Sequence, residues 1–108
     1  MLWWLDSGGQ VNVTCEMGDT SGVTALMFAA QEGHERAVEL LLQRGAEINL
    51  QNSNGFTALM AAAQHSHERV VELLLQRGAE IELQNSVGGT ALMIAAGNGH
   101  ERVVELLL

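Results

Sequence analysis

The chain of 108 residues has no proline, tyrosine or lysine, and it has a single cysteine, Cys15. With two tryptophans and two phenylalanines as its only aromatic residues, it must build its core from Leu, Ala, Val, Ile and Met. One cysteine cannot form an internal disulfide, which excludes a small domain stapled by disulfides and favours a reducing compartment. We therefore expect a cytoplasmic or nuclear location.

Long apolar runs are also missing, and positively charged residues are few. The apolar segment at residues 2–5 (Leu-Trp-Trp-Leu) ends at Asp6, which makes it too short for a signal peptide or a membrane span. Thirteen acidic residues against five arginines give a net charge of −8. Nucleic-acid phosphates and anionic lipid surfaces repel such a chain, so we expect neither nucleic-acid binding nor membrane insertion.

Internal repetition dominates the sequence. The segment Thr-Ala-Leu-Met begins at Thr24, Thr57 and Thr90, and the spacing is 33 residues both times. Residues 24–52 differ from residues 57–85 at only five positions. A period of this length is typical of solenoids, in which each repeat is one supersecondary unit.

The first half of a unit predicts a short, alanine-rich helix. Thr57 suits the N-cap position of a helix over residues 58–65, because its hydroxyl can accept a free backbone N–H. A break follows at residues 66–67, which read Ser-His here and Gly-His in the other two units. Glycine tolerates the left-handed backbone found at helix ends.

The second half of a unit predicts another short helix and an extended tail. The apolar residues of the helix at 68–76 cover more than half its circumference, so the helix must be buried on two sides, with Leu73 in the core. Ile81 and Leu83 then alternate with polar residues, which is an extended pattern. Asn-Ser-Asn-Gly at 52–55 supplies a turn between units.

Stacking resolves the weakness of such short helices, because each hairpin buries its apolar faces against its neighbours. The segment 52–63 (Asn-Ser-Asn-Gly-Phe-Thr-Ala-Leu-Met-Ala-Ala-Ala), followed by His67, Val-Glu-Leu-Leu-Leu at 71–75 and Gly-Ala at 78–79, resembles the ankyrin repeat. The resemblance covers about residues 20–108. It implies an all-α, ankyrin-type repeat solenoid of stacked helix-turn-helix units joined by β-turn loops.

Two departures from the ankyrin pattern recur in every unit. The family's usual proline after the threonine is alanine here, and its usual histidine three residues after the threonine is methionine, at Met27, Met60 and Met93. Proline at the first helical position is favourable but not required. We expect these changes to lower stability without altering the architecture.

The repeat pattern also predicts boundaries. Residues 20–52 and 53–85 form complete units, residues 86–108 form a C-terminally truncated unit, and residues 1–19 form the end of a preceding truncated repeat plus an extended loop. Within that first segment, residues 11–13 are predicted to be a strand-like arm matching residues 48–50, and about four extra residues fall within 14–20. Because neither end is polar, we expect a segment of a longer array, or a chain that closes its ends by self-association.

No group of residues in the sequence predicts catalysis or metal binding. His65 and His67 lack a third ligand at metal-site spacing, and His67 recurs in the other units, which indicates a role in the fold. Cys15 has no neighbouring histidine to activate it, and the Glu-Arg pairs recur as a solvated helix face. The glycine pairs lack a following lysine for phosphate binding. We predict no enzyme activity, no cofactor and no metal.

Positions that change between units are free to serve a partner, whereas unchanged positions serve stacking. The ankyrin resemblance implies that a protein partner meets the turn tips and the exposed side of each first helix, along a concave surface. The matching positions are Thr20, Ser21, Val23, Phe28, Gln31, Glu32, Ser53, Asn54, Phe56, Ala61, Gln64, His65, Ser86, Val87, Gly89, Ile94, Gly97 and Asn98.

Phe56 is the best candidate anchor, because an aromatic side chain at a turn tip suits a binding hot spot, although it could instead only pack over its own turn. The function predicted from the sequence is non-catalytic protein–protein recognition, with a neutral or basic partner favoured by the negative charge. The alternative is structural self-assembly, in which apolar ends stack head to tail.

Overall fold

Three helix pairs make up most of the protein in the computed structural model, which describes residues 10–108. Each pair is a short first helix followed, after two residues in the first pair and three in the others, by a second helix, and the first pair is preceded by a 3-10 turn and two short strands. The elements are the 3-10 turn Gln10–Asn12, β1 Thr14–Met17, β2 Thr20–Thr24, α1 Ala25–Glu32, α2 Glu35–Gln43, α3 Ala58–Gln64, α4 Glu68–Gln76, α5 Ala91–Gly97 and α6 Glu101–Leu107.

The pairs stack side by side in chain order. The first helices form one layer, in which α3 contacts both α1 and α5, and the second helices form another, in which α4 contacts both α2 and α6. Because each helix is too short to be stable alone, these contacts between neighbours supply the burial that it needs. The all-α repeat solenoid predicted from the sequence is confirmed.

Each first helix begins at a buried or half-buried threonine. The Oγ1 atoms of Thr24, Thr57 and Thr90 accept the main-chain N–H three residues later, at 3.2, 3.2 and 3.3 Å. In the first unit the sulfur of Met27 also accepts the N–H of Thr24 at 3.5 Å. Methionine therefore takes part in the cap at the position where the ankyrin pattern has histidine.

Each first helix is followed by a residue with left-handed backbone. Gly33 and Gly99 have φ angles of 76° and 73°, and Ser66 has a φ of 59°. Ser66 is the one residue other than glycine with a positive φ among residues 10–108. Its Cβ atom crowds the following carbonyl, as expected from the Ser-for-Gly replacement in the second unit.

The second helix of the middle unit is buried on two sides, because α4 packs against α3 and against both neighbouring second helices. Val70, Val71 and Leu74 are buried, whereas Leu73 is half-buried and borders an outer groove. The sequence prediction that Leu73 is a core residue is therefore wrong in degree. The apolar face of α4 is wide enough to include both Leu73 and Leu74. The orientation of the helix buries Leu74 against the neighbouring helices and leaves Leu73 half-buried.

Residues 11–13 and their equivalents are not strand-like. Gln10–Asn12 forms a 3-10 turn, and residues 48–49 form a turn as well. The side chains of Asn12 and Asn49 accept the N–H of Glu47 and Glu80, both at 2.9 Å, so each tail is held by a side chain of the preceding unit. An alternation of only a few residues did not reveal this, because it carries no information about hydrogen-bond partners.

The sequence spans of the hydrogen bonds accepted by Asn12 and Asn49 also give the length of the insertion in the first loop. They span 35 residues for Asn12 and 31 for Asn49, so the first loop is four residues longer than the second, as the sequence predicted. The added residues extend the loop into the antiparallel β1–β2 hairpin. The part of the predicted preceding repeat that falls at residues 1–9 lies outside the described residues.

Candidate functional site

The turn tips between units are joined to one another by main-chain hydrogen bonds. The N–H of Ser53 donates to the carbonyl of Ser21 at 2.8 Å, and the N–H of Ser86 donates to the carbonyl of Asn54 at 3.0 Å. The side chain of Asn54 adds a bond to Thr20 Oγ1 at 3.1 Å. The three tips are therefore held in a fixed register, although their residues differ.

An asparagine shapes each of the last two tips from within. Asn52 Oδ1 accepts the N–H groups of Asn54 and Phe56, at 2.9 and 3.0 Å. Asn85 Oδ1 accepts the N–H groups two and four residues later, at 3.1 and 2.8 Å. Asparagine favours such turns because its side chain satisfies the backbone locally.

The first tip is longer than the others because β1 and β2 form a hairpin. Cys15 lies opposite Val23, and the pairing is irregular between Cys15 and Met17. Gly18, at the turn, has a φ of 63°. All four residues of β1 are exposed.

A groove of about 320 Å³ lies between the first two tips and the first helices beneath them. Its lining residues come from β1, β2, α1, the second tip and α3, and they are Met17, Thr20, Val23, Met27, Gln31, Asn52, Asn54, Phe56, Thr57, Ala61 and Gln64. The structure thus brings together seven of the residues predicted to meet a partner, namely Thr20, Val23, Gln31, Asn54, Phe56, Ala61 and Gln64.

Burial differs among these seven residues. Val23 and Ala61 are each only 8% exposed and form the floor of the groove, while Gln31, Gln64 and Asn54 are exposed at its rim. Phe56 is half-buried and packs against the hydrophobic core while it lines the groove. Its side chain therefore combines structural packing with an accessible apolar surface.

The remaining predicted positions lie outside the lining of this groove. Phe28 and Val87 are exposed apolar side chains, at 43% and 87%. Gly89 and Ile94 are half-buried. The exposed polar or small positions are Ser21, Glu32, Ser53, His65, Ser86, Gly97 and Asn98.

Four lining residues were not among the positions predicted to meet a partner, namely Met17, Met27, Asn52 and Thr57. Three of them are unchanged between units and were assigned to the scaffold alone. Met17 lies within residues 14–20, where the sequence shows that the first loop has about four more residues than the second. Its position in the groove depends on the hairpin, which no repeat pattern predicts.

Histidines join neighbouring units below the tips. The Nε2 atoms of His67 and His100 lie 2.8 and 2.9 Å from the carbonyl oxygens of Gln31 and Gln64. A carbonyl can only accept, so each Nε2 carries the hydrogen and donates. This agrees with the structural role predicted for His67.

The ring of His65 stacks on that of His67, with centroids 6.1 Å apart. In the described part of the chain, no three potential metal ligands come together.

The opposite side of the molecule carries the Glu-Arg pairs of the second helices. They border a groove of about 600 Å³ that includes Leu73 and Gln76. Ion pairs cross between units there, with Arg102 lying 3.9 Å from Glu68. Because both side chains are well exposed, such a pair contributes little to stability.

No helix within residues 10–108 has the length and apolar character needed to cross a membrane.

These features define a repeat protein whose units stack in chain order, with a layer of first helices and tips joined by hydrogen bonds. The family model described as "Ankyrin repeats (3 copies)" matches residues 1–85, and the one described as "Ankyrin repeat" matches residues 87–108. The chain therefore belongs to the ankyrin repeat family. Members of this family are generally protein–protein interaction modules and generally non-catalytic.

A curated relative supports the same assignment. The chain is similar to "Ankyrin repeat domain-containing protein 29" of Danio rerio, with 46% identity over 51 residues. The match covers 47% of this chain and 16% of the length of that protein.

Proposed function

We propose that this chain is a non-catalytic recognition module that binds a protein partner on its concave surface of tips and first helices, inside the cytoplasm or nucleus. The observation that carries this proposal is the groove between the first two tips. Residues from two different units meet in it, and it gathers seven positions that the repeat pattern left free. A binding site made by neighbouring units is what a stacked scaffold can offer that a single hairpin cannot.

Preorganisation supports this function. The tips are joined by main-chain hydrogen bonds, and the floor of the groove is buried and packed. A partner therefore meets side chains that are already held in place, and little conformational entropy is lost at the scaffold on binding. The variable residues set the specificity, and the invariant residues keep the frame rigid.

The proposal is tested by affinity capture from cytosolic and nuclear extracts with two matched variants. Gln31→Lys/Gln64→Lys changes the exposed amides at the groove, and Gln43→Lys/Gln76→Lys makes the same chemical change on the second helices. We expect proteins captured by the wild type to be retained by the second variant and to fall about tenfold with the first. Equal capture by both variants, or no capture above that of empty resin, would contradict the proposal.

A second candidate function, end-to-end self-assembly, is favoured by the exposure of one methionine. Met93 is 57% exposed, whereas its equivalents Met27 and Met60 are 5% and 1% exposed, because the following unit covers them. Another copy stacking on this face would bury the same surface, and a head-to-tail contact of this kind can form open filaments. Sedimentation velocity over a wide concentration range decides the matter, since a monomer at every concentration rules this candidate out.

A further inference from the structure

We infer that the groove between the first two tips accepts a single uncharged apolar side chain from an extended segment of the partner, and that basic residues flank this side chain. The inference rests on the proposed function and names the chemistry that the same site recognises. It depends on the composition of the groove, on where the groove occurs among the units, and on the charges around it.

The groove combines apolar and uncharged polar side chains, and none of its lining residues is charged. Met17, Val23, Phe56 and Ala61 supply its apolar surface, and the other lining residues bear only amide, hydroxyl or thioether groups. A charged side chain entering it would lose hydration without gaining an opposite charge, which is costly. Its volume of about 320 Å³ is near the lower end for ligand pockets, so it suits one side chain better than a larger ligand.

Within residues 10–108, the combination of a large wall and a small floor occurs only between these two tips. Phe56 forms the wall, at a position that is Val23 in the unit before and Gly89 in the unit after. Ala61 leaves space at the floor, at a position occupied by the larger Phe28 and Ile94 in the other units. Met17 adds a second wall from the inserted hairpin, which the other units lack.

The elements around the groove are acidic. Residues 10–32 contain Glu16, Asp19 and Glu32 but no basic residue, and residues 52–64 contain no charged residue. All five arginines lie on the second helices or at the residues that end them. The groove therefore lies in a negative field, and lysine or arginine on either side of an apolar anchor complements that field and speeds association.

The experiment uses fluorescent peptides of about nine residues, which extend over about 30 Å as a strand. The central residue is Leu, Met, Phe, Ala or Asp, and the flanking residues are Lys in one series and Glu in the other, within a Ser-Gly background. We expect the Lys series with Leu, Met or Phe at the centre to bind the full chain at least about tenfold more tightly than every other peptide.

Variants locate the binding. Met17→Ala and Phe56→Leu are expected to weaken binding of the best peptide about tenfold. Leu40→Ala serves as a control, because Leu40 is as exposed as Met17, at 42%, but lies on the second helix α2. Because Phe56 also packs against the core, a thermal melt accompanies its variant, and the exposed Met17 keeps the test independent of folding.

The outcomes separate this inference from the proposed function. The inference is overturned if no peptide binds, if affinity does not depend on the central residue, if the Glu series binds as well as the Lys series, or if Met17→Ala binds like the wild type. Extract proteins that are lost with Gln31→Lys/Gln64→Lys but kept with Met17→Ala would leave the recognition function standing without this anchor. Extract proteins kept by both Gln31→Lys/Gln64→Lys and Met17→Ala would contradict the recognition function proposed for the surface of tips and first helices.

Discussion

Replacing Leu74 with alanine is expected to lower the free energy of unfolding by about 2–5 kcal/mol. Leu74 has no solvent exposure and belongs to the hydrophobic core. Its helix α4 contacts the first helix of its own unit and the second helices of both neighbours, so a cavity there affects the interfaces on both sides. In a stacked array, whose stability is the sum of units and interfaces, the middle unit is the most costly place for such a loss.

Urea denaturation of the full chain measures this effect, and Leu73→Ala provides the matched control. Leu73 is the preceding residue of the same helix but is half-buried at the outer groove, so its truncation leaves a site that solvent can fill. We expect a clearly smaller loss for Leu73→Ala. Equal losses for the two variants would mean that α4 is rotated from the orientation in which Leu74 is buried and Leu73 borders the outer groove.

Gly55→Ala is expected to destabilise the protein and to separate the last two tips. A Cβ atom at Gly55 would lie 2.8 Å from both the Cα of Asn85 and the main-chain N of Ser86, and Gly55 has a φ of 77°. The left-handed backbone alone costs about 1–2 kcal/mol for alanine. The clash adds to this cost, because main-chain atoms cannot rotate away as a flexible side chain can, and the bond from Ser86 to Asn54 must lengthen.

Gly22→Ala distinguishes the two contributions. Gly22 has nearly the same backbone, with a φ of 75°, but its added Cβ would lie 3.5 Å from the Cα of Asn52, an ordinary contact distance. We expect Gly22→Ala to show only the backbone cost and Gly55→Ala to exceed it in the same urea titration. Amide exchange at Ser86 should rise only in Gly55→Ala. Similar behaviour of the two variants would indicate that the last two tips are not tightly packed.

Much of the fold could be predicted because it depends on local sequence features that recur in three units. The bounds of α4, the threonine caps and the left-handed helix ends follow from residue types at fixed spacing. They agree with the structure over Glu68–Gln76, at Thr57 and at Ser66. Stacking also followed from local features, since short helices with wide apolar faces need neighbours.

The errors arose where the partner of a residue lies in another unit. The tail after each second helix was expected to be extended, but it turns because asparagine side chains of the preceding unit hold its N–H groups. The choice between Leu73 and Leu74 as the core residue depends on where the neighbouring helices lie. A single unit does not contain this information.

The candidate site was predictable only as a set of variable positions. The sequence marked Phe56, Ala61 and Gln64 as free to vary, but it did not indicate that Ala61 forms the floor of a groove and that Phe56 is half-buried beside it. The position of Met17 in the groove could not be predicted, because the inserted residues line the groove only through the hairpin that they form.

The sequence by itself determined the repeat, its period of 33 residues and the helix pair within each unit, because caps, glycines and apolar spacing act within one stretch of chain. Only the tertiary structure decided which apolar residues are core, how the inserted loop folds and where a groove opens. These features depend on distances between units that are far apart in sequence. Near-identical units acquire different surfaces when a few side chains, such as Phe56 and Ala61, meet different neighbours across a stacking interface.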